Sequence, residues 1–252
     1  MVVLMYHGVI SDASQIPPDR ERGAPLYDLP AAAFREQMDY LKKNSYKVER
    51  LEEAPAQAPV RKVVLTFDDG EMNNFTQAWP ILKQYQFPAF FFVTTNRIGQ
   101  KGYMGWPQLQ ELLKGGMIIG SHGLNHNILV NLSEEELKKE LGESKRILEE
   151  HLKVSAEYFS VPRGFWNSRI LRAAQQAGYT DVFVSENGFQ SLENCIARIP
   201  VQNTWSLKRF EQALDGRRPF GEVLGKAFQG MAKKILGPSA YDGLRKRLLG
   251  KS

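Results

Sequence analysis

The chain of 252 residues has a single cysteine, Cys195, and only four histidines. One cysteine cannot close an internal disulfide, so an oxidative framework is excluded and a reducing compartment is allowed. With no basic or metal-binding neighbour in sequence, Cys195 reads as a core or incidental residue. No apolar run approaches the ~20 residues that a bilayer-spanning helix needs. The opening Met1-Val2-Val3-Leu4-Met5-Tyr6-His7-Gly8 lacks the basic segment and longer apolar stretch of a secretion signal. It reads instead as a first β-strand, and the expected location is cytoplasmic. No internal repeat is visible. What is present, 42% hydrophobic and 24% charged residues, excludes wholesale disorder and suits one large domain.

The net charge of +5 is unevenly spread. Residues 217–252 hold nine basic and two acidic side chains, which leaves the preceding 216 residues at a net −2. A nearly neutral body argues against a nucleic-acid groove and gives the tail a partner of its own. Phe220, Val223, Leu224, Ala227, Phe228, Met231 and Ile235 recur there at helical spacing beside lysines. The expected division is therefore a body over 1–216 and a basic amphipathic helical tail over 217–252. That tail either packs on the body or lies on an anionic membrane surface, peripheral attachment being the second expectation.

Short apolar, β-branched runs alternate with amphipathic stretches along the body. The spacing predicts strands over 2–6, 47–51, 62–67, 89–94, 117–120, 158–161, 181–185 and 196–201. Helical patterns lie between them: Phe34, Met38 and Leu41 form one apolar stripe, and Ser133 with Glu136 forms a capping box ahead of Leu137, Leu141, Ile147 and Leu148. Strands buried on both faces and separated by helices imply a parallel sheet, and eight of them favour a (β/α) barrel. The irregular stretch 8–30, rich in proline, glycine and charge, reads as a loop over a site.

Two strand ends carry the chemistry. The run 62–67 ends in Thr66-Phe67 and passes directly into Asp68-Asp69-Gly70. The run 117–120 passes into Ser121-His122-Gly123-Leu124-Asn125-His126. Adjacent carboxylates crowd like charges together, a cost that a nearby cation removes. Two histidines four residues apart share one face of a helical turn and can converge on one ion. Either motif alone has a plain reading, a solvated turn for the first and incidental surface for the second. Placed together at the C-terminal ends of strands of one barrel, where functional groups gather, they offer one carboxylate and two imidazoles. Three ligands leave positions open for water and substrate. Gly123 after His122 excludes the His-Glu-x-x-His protease helix. His7 and Pro162-Arg163-Gly164 follow two further strands.

Thr66-Phe67-Asp68-Asp69-Gly70, followed by His122-x-x-x-His126 and Pro162-Arg163-Gly164, resembles the polysaccharide deacetylase family, the NodB-like fold of carbohydrate esterase family 4. The resemblance runs from Leu4-Met5-Tyr6-His7 to about Gln202. It implies a distorted (β/α) barrel and metal-dependent removal of acetyl groups from sugars, commonly N-acetylated ones, as in exopolysaccharide biosynthesis. Carried over residue by residue, Asp69, His122 and His126 would bind a divalent metal, Zn²⁺ foremost, with Co²⁺, Ni²⁺ or Mn²⁺ as alternatives. Asp68 would be the general base that takes a proton from the attacking water. The amide of Arg163 would help stabilise the oxyanion, next to Pro162 and Gly164 as substrate-binding positions.

The sequence departs from the family's pattern at three points. Ser160 stands where an arginine often opens the third motif. The acidic partner of that arginine has no match in Phe183-Val184-Ser185-Glu186-Asn187, which leaves Arg163 as the nearest side chain by sequence to orient Asp68. The fifth motif, Leu-x-His, has no counterpart in Arg198-Ile199-Pro200-Val201-Gln202-Asn203, and no histidine follows His151. His151 lies in a polar run and reads as solvated helix face. His7 is therefore the candidate acid or substrate contact. Trp106 and Trp166, in loops after strands, are candidate sugar-stacking platforms. The intact Asp68, Asp69, His122 and His126 set favours catalysis. The competing readings are a degenerate barrel that still binds glycan, and a deacetylase of an O-acetyl ester or a non-sugar amide.

Overall fold

In the computed structural model the described residues are 1–216 apart from Ala13, Gln15, Arg22, 52–60 and 186–194. The basic tail over 217–252 lies outside them. Eleven strands are present among the described residues: β1 (Val2–Tyr6), β2 (Val9–Ile10), β3 (Leu29–Pro30), β4 (Lys47–Val48), β5 (Lys62–Phe67), β6 (Phe90–Val93), β7 (Ile118–Ser121), β8 (Tyr158–Ser160), β9 (Asp181–Val184), β10 (Ile196–Ala197) and β11 (Ile199–Pro200). Six α-helices accompany them there: α1 (Ala31–Lys43), α2 (Trp79–Tyr85), α3 (Trp106–Lys114), α4 (Glu134–Leu152), α5 (Ser168–Gln176) and α6 (Leu207–Leu214). No helix among the described residues is long and apolar enough to cross a membrane.

Every pairing in the main sheet is parallel, in the order β10-β9-β8-β7-β6-β5-β1-β11, with β4 beside the first residues of β5. Its two ends belong to one stretch of chain. Ile196 and Ala197 pair with Phe183 and Val184 of β9, and two residues later Ile199 and Pro200 pair with Leu4 and Met5 of β1. The sheet thus closes into a distorted barrel through a strand that changes partner at Arg198, where the sequence predicts a continuous run over 196–201. The run expected over 47–51 shortens to β4, and the pair β2 and β3 inside the segment 8–30 is an addition to the predicted elements.

Side chains alternate between the two faces of each strand. On the barrel's inner face Val3, Val64, Phe90, Phe92 and Phe183 form one buried cluster. On the outer face Leu4, Tyr6, Leu65, Phe67, Phe91 and Val93 pack against Phe34, Met38 and Leu41 of α1 and Leu109 and Leu112 of α3. The capping box expected at α4 is present, with Ser133 Oγ accepting the Glu136 amide and the Glu136 carboxylate accepting the Ser133 amide. Leu137, Leu141 and Leu148 of α4 are buried. Cys195 is buried beside Phe159 and Val182, as its sequence context predicts.

The inner-face parity explains where the polar residues go. Counting by two from Val64 gives Thr66 and then Asp68; from Ile118, Gly120 and then His122; from Tyr158, Ser160; from Ile196, Arg198. The apolar floor of the barrel therefore gives way, one layer up, to polar side chains at the C-terminal mouth. Gly120 has a steric reason to lack a side chain: a Cβ there would sit 2.6 Å from the Phe92 ring.

Candidate active site

Asp69, His122 and His126 are all buried, and one ligand atom from each lies within 4.8 Å of the others. Asp69 Oδ1 is 3.1 Å from His126 Nε2 and 3.6 Å from His122 Nε2. The backbone bends sharply to bring them together. Asp69 (φ 73°) and His126 (φ 59°) are both in the left-handed region, which for non-glycine residues costs about 1–3 kcal/mol each and tends to cluster at functional sites. Gly70 follows at φ 77°, in a place where a Cβ would meet Val93 Cγ1 at 2.8 Å. The loop carrying the two histidines is laced to its surroundings. The Thr95 amide and hydroxyl both donate to the Gly123 carbonyl, and buried Glu140 of α4 accepts the Asn125 amide at 2.6 Å and the Asn127 side chain at 3.2 Å.

The electrostatics of the site suit a cation: one ring is neutral, and the other carries a proton, held by carboxylates, that a metal ion would displace. The His122 Nδ1 lies 2.9 Å from the Ser160 carbonyl oxygen, which can only accept, so the proton is on Nδ1 and the Nε2 lone pair faces Asp69. Burial pushes His122 down to about 4 against the pull of Asp68, so the imidazole is neutral. Burial also acts to lower His126, but the Asp69 and Glu21 carboxylates outweigh it and raise that ring to about 9. Burial acts to raise Asp69, yet His126, His7 and His122 hold it well below the usual carboxylate range. Asp69 Oδ1 makes no well-aligned hydrogen bond among the described residues. A carboxylate oxygen left this way between two imidazoles fits a divalent cation as the missing partner.

Asp68 faces the other way. Its two oxygens are 2.7 and 2.8 Å from Nη1 and Nη2 of Arg198, in a bidentate pair, and Ser160 Oγ donates to it at 3.2 Å. Arg198 is fully buried, also donates to Ser160 Oγ at 2.7 Å, and rests over the rings of Phe92 and Phe183. Burial would raise Asp68; the Arg198 guanidinium, then His122, outweigh it and hold the carboxyl below its usual range. The sequence expectation that Arg163 orients Asp68 is therefore corrected. Ser160 reaches Asp68 with a single neutral hydroxyl, and the guanidinium that grips both carboxylate oxygens comes from Arg198 on the closing strand. The Arg163 guanidinium instead lies 3.8 Å from Glu21, with its backbone at φ 63°.

The remaining candidates have separate surroundings. His7 follows β1, with its ring stacked on Tyr27 at 4.8 Å. Burial lowers its pKa, partly countered by Asp69 and Asp68. Pro162 is buried at the start of a short turn of helix, and Gly164 closes that turn at φ 68°. Trp166 is partly buried against the cluster around Phe159 and Ile170. Trp106 opens α3 and stacks on His151 at 4.0 Å, so one face of its ring is occupied by protein. Glu21 was not singled out in the sequence. Its segment 8–30 does cover the site, fixed by Arg20, which pairs with Asp28 and lies 2.9 Å from Glu71.

Fold and site together define a parallel (β/α) barrel whose C-terminal mouth holds an Asp-His-His set able to bind a metal ion, with a second, separately paired carboxylate beside it. The chain belongs to the polysaccharide deacetylase family, whose model matches residues 56–182. It is 30% identical over 195 residues to the Bacillus subtilis protein YxkH, covering 75% of this chain and 66% of that one. It is 28% identical over 172 residues to the poly-beta-1,6-N-acetyl-D-glucosamine N-deacetylase of Staphylococcus aureus, 60% of this chain and 59% of that one. The chain thus spans less than two thirds of these curated relatives. The Streptococcus pyogenes deacetylase PplD, solved in complex with acetate, superposes with a TM-score of 0.74 at 25% identity, over 87% of this chain and 98% of that chain.

Proposed function

We propose that the protein is a metal-dependent hydrolase that removes acetyl groups from N-acetylated sugars of a glycan or glycan precursor. The observation that carries this reading is the separation of two adjacent carboxylates into different tasks. Asp69 turns to the histidines, while Asp68 is held ionised by Arg198 with Oδ2 3.8 Å from His122 Nε2. A degenerate binding barrel would need the first arrangement but not the second. The Staphylococcus aureus relative is named as an N-deacetylase of an N-acetylglucosamine polymer, and PplD was solved with acetate, the product that such a reaction releases.

Asp69, His122 and His126 would hold the metal, with Zn²⁺ best matched to two imidazoles and a carboxylate. A divalent cation there supplies Lewis acidity, polarising the acetyl carbonyl and lowering the pKa of a water molecule. Asp68, ionised and adjacent, accepts the proton of the attacking water. The Arg163 amide is the candidate donor to the developing oxyanion. His7 delivers a proton to the leaving amine. Burial lowers its pKa, so the imidazolium is a stronger acid that is populated towards acid pH.

The direct test is acetate release from a panel of N- and O-acetylated oligosaccharides. Release from the N-acetylated members should be abolished by chelator and restored by Zn²⁺. Release from O-acetyl esters alone would replace the N-deacetylase reading with the esterase one, and no release from any member would leave the degenerate barrel. In the same assay His7→Ala is expected to lower the rate by about 10²-fold or more. It should also remove the alkaline limb of the pH–rate profile. An unchanged rate would take the acid role away from His7.

A further inference from the structure

The segment 8–30 enters the barrel mouth with its ends zipped together, since Val9 and Ile10 of β2 pair with Leu29 and Pro30 of β3. Midway, the Arg20 guanidinium is clamped between Asp28 and buried Glu71, whose other oxygen accepts from Asn73 at 2.6 Å. This clamp sets the position of the next residue. Glu21 Oε1 lies 2.7 Å from His126 Nδ1, accepts from Arg97 Nη2 at 3.0 Å and stands 3.8 Å from Arg163 Nη1. One loop carboxylate therefore reaches side chains presented after β6, β7 and β8. The two histidines of the metal set differ at Nδ1: His122 is hydrogen-bonded to the Ser160 carbonyl, whereas His126 has the Glu21 carboxylate in close ionic contact, at an angle short of a well-aligned hydrogen bond.

An imidazole ligand needs its second nitrogen engaged. A partner that takes the Nδ1 proton fixes the tautomer, leaves the Nε2 lone pair for the ion and prevents the ring from turning over. His126 has particular need of this because its backbone is in the left-handed region, and such a conformation persists only where the surroundings over-determine it. We propose that Glu21 is a positioning residue of the metal site: it orients His126 for coordination and so couples metal occupancy to the seating of segment 8–30. The inference rests on the reading of Asp69, His122 and His126 as a metal site. Coupling of this kind is reciprocal. Whatever free energy the seated loop adds to metal binding, bound metal returns to the seated loop.

The test uses the full chain and two readouts besides activity. The first is Zn²⁺ affinity, measured by competition with a chromogenic chelator. The second is the rate of tryptic cleavage after Arg20, compared with and without Zn²⁺ within each variant. Glu21→Ala is expected to weaken Zn²⁺ binding about 10–100-fold, the usual effect of removing the partner of a metal-bound histidine. It should also abolish the protection that Zn²⁺ gives the wild-type loop. Glu21→Gln keeps an oxygen that can accept the Nδ1 proton and should recover part of both effects, which a merely structural contact with Arg97 would not require. Glu21→Ala binding Zn²⁺ as tightly as the wild type would overturn the inference and leave the metal site standing. Glu21→Gln as impaired as Glu21→Ala would also overturn it. A wild-type chain that does not bind Zn²⁺ would bring down both the metal-site reading and this one.

Discussion

Asp68→Asn is expected to lower acetate release by about 10²–10⁴-fold, the contribution of a positioned general base, while Zn²⁺ affinity stays close to that of the wild type. The two outcomes separate because the two carboxylates have different partners. Asp69 lies against His122 and His126, whereas both oxygens of Asp68 are taken by Arg198 and Ser160. Asparagine preserves the shape of Asp68 and accepts hydrogen bonds through one atom, but it cannot take a proton. It also strands Arg198, a fully buried cation, without its counter-charge. Breaking one side of a buried ion pair typically costs about 3–5 kcal/mol, so the same variant should unfold at distinctly lower temperature. Asp69→Asn is the matched comparison, and it should lose the metal. Equal loss of Zn²⁺ in the two variants would show that the roles assigned to the two carboxylates are reversed.

The difference between what the sequence discloses and what it hides follows from how each residue is encoded. Asp68, Asp69, His122 and His126 are contiguous with strands whose apolar runs are unmistakable, so motif and element reinforce each other. The same holds for most of the barrel, because strands buried on both faces leave continuous apolar runs. Arg198 is hidden for a related reason. It interrupts an apolar stretch at the point where that stretch changes from β9 to β1, and a lone arginine in a strand ordinarily lies on a solvated face. In a closed barrel no face of the strand is solvated. The parity that sets Ile196 and Arg198 opposite Ala197 and Ile199, together with a serine at position 160, is the signal that could have located it. Glu21 offers no comparable signal. It lies between two arginines in an irregular loop, and only the Arg20 clamp on Glu71 and Asp28 determines where its carboxylate goes. Trp106 is a different case. A tryptophan in a loop after a strand matches a sugar platform equally well whether or not a helix residue such as His151 covers its ring.

Arg198→Met is expected to move the acid limb of the pH–rate profile to higher pH and to cost stability in the same range of about 3–5 kcal/mol. In the wild type, burial acts to raise Asp68 and the Arg198 guanidinium is the largest influence opposing it. With the guanidinium gone and the burial unchanged, the carboxyl should rise above its ordinary range. A larger fraction of the base would then be protonated at a given pH, and activity should recover as the pH is raised. The stability linkage changes sign with it. A lowered folded pKa gives the wild type a contribution that is complete above the unfolded carboxyl value near ~4 and is lost as pH falls through the folded value. A raised pKa in Arg198→Met gives a contribution present at low pH that is lost as pH rises through the new value. The double variant Asp68→Asn/Arg198→Met removes both charges and fills the site with a neutral amide and a thioether. Replacement of buried ion pairs by apolar groups of similar volume is often neutral or stabilising by about 1–4 kcal/mol, so much of the lost stability should return. Turnover should not, because the proton acceptor is still missing. Thermal denaturation across pH and acetate release for the four members of this cycle separate the structural and catalytic roles of the pair. An acid limb unmoved in Arg198→Met would mean that the protonation of Asp68 is set by groups other than the arginine that grips it.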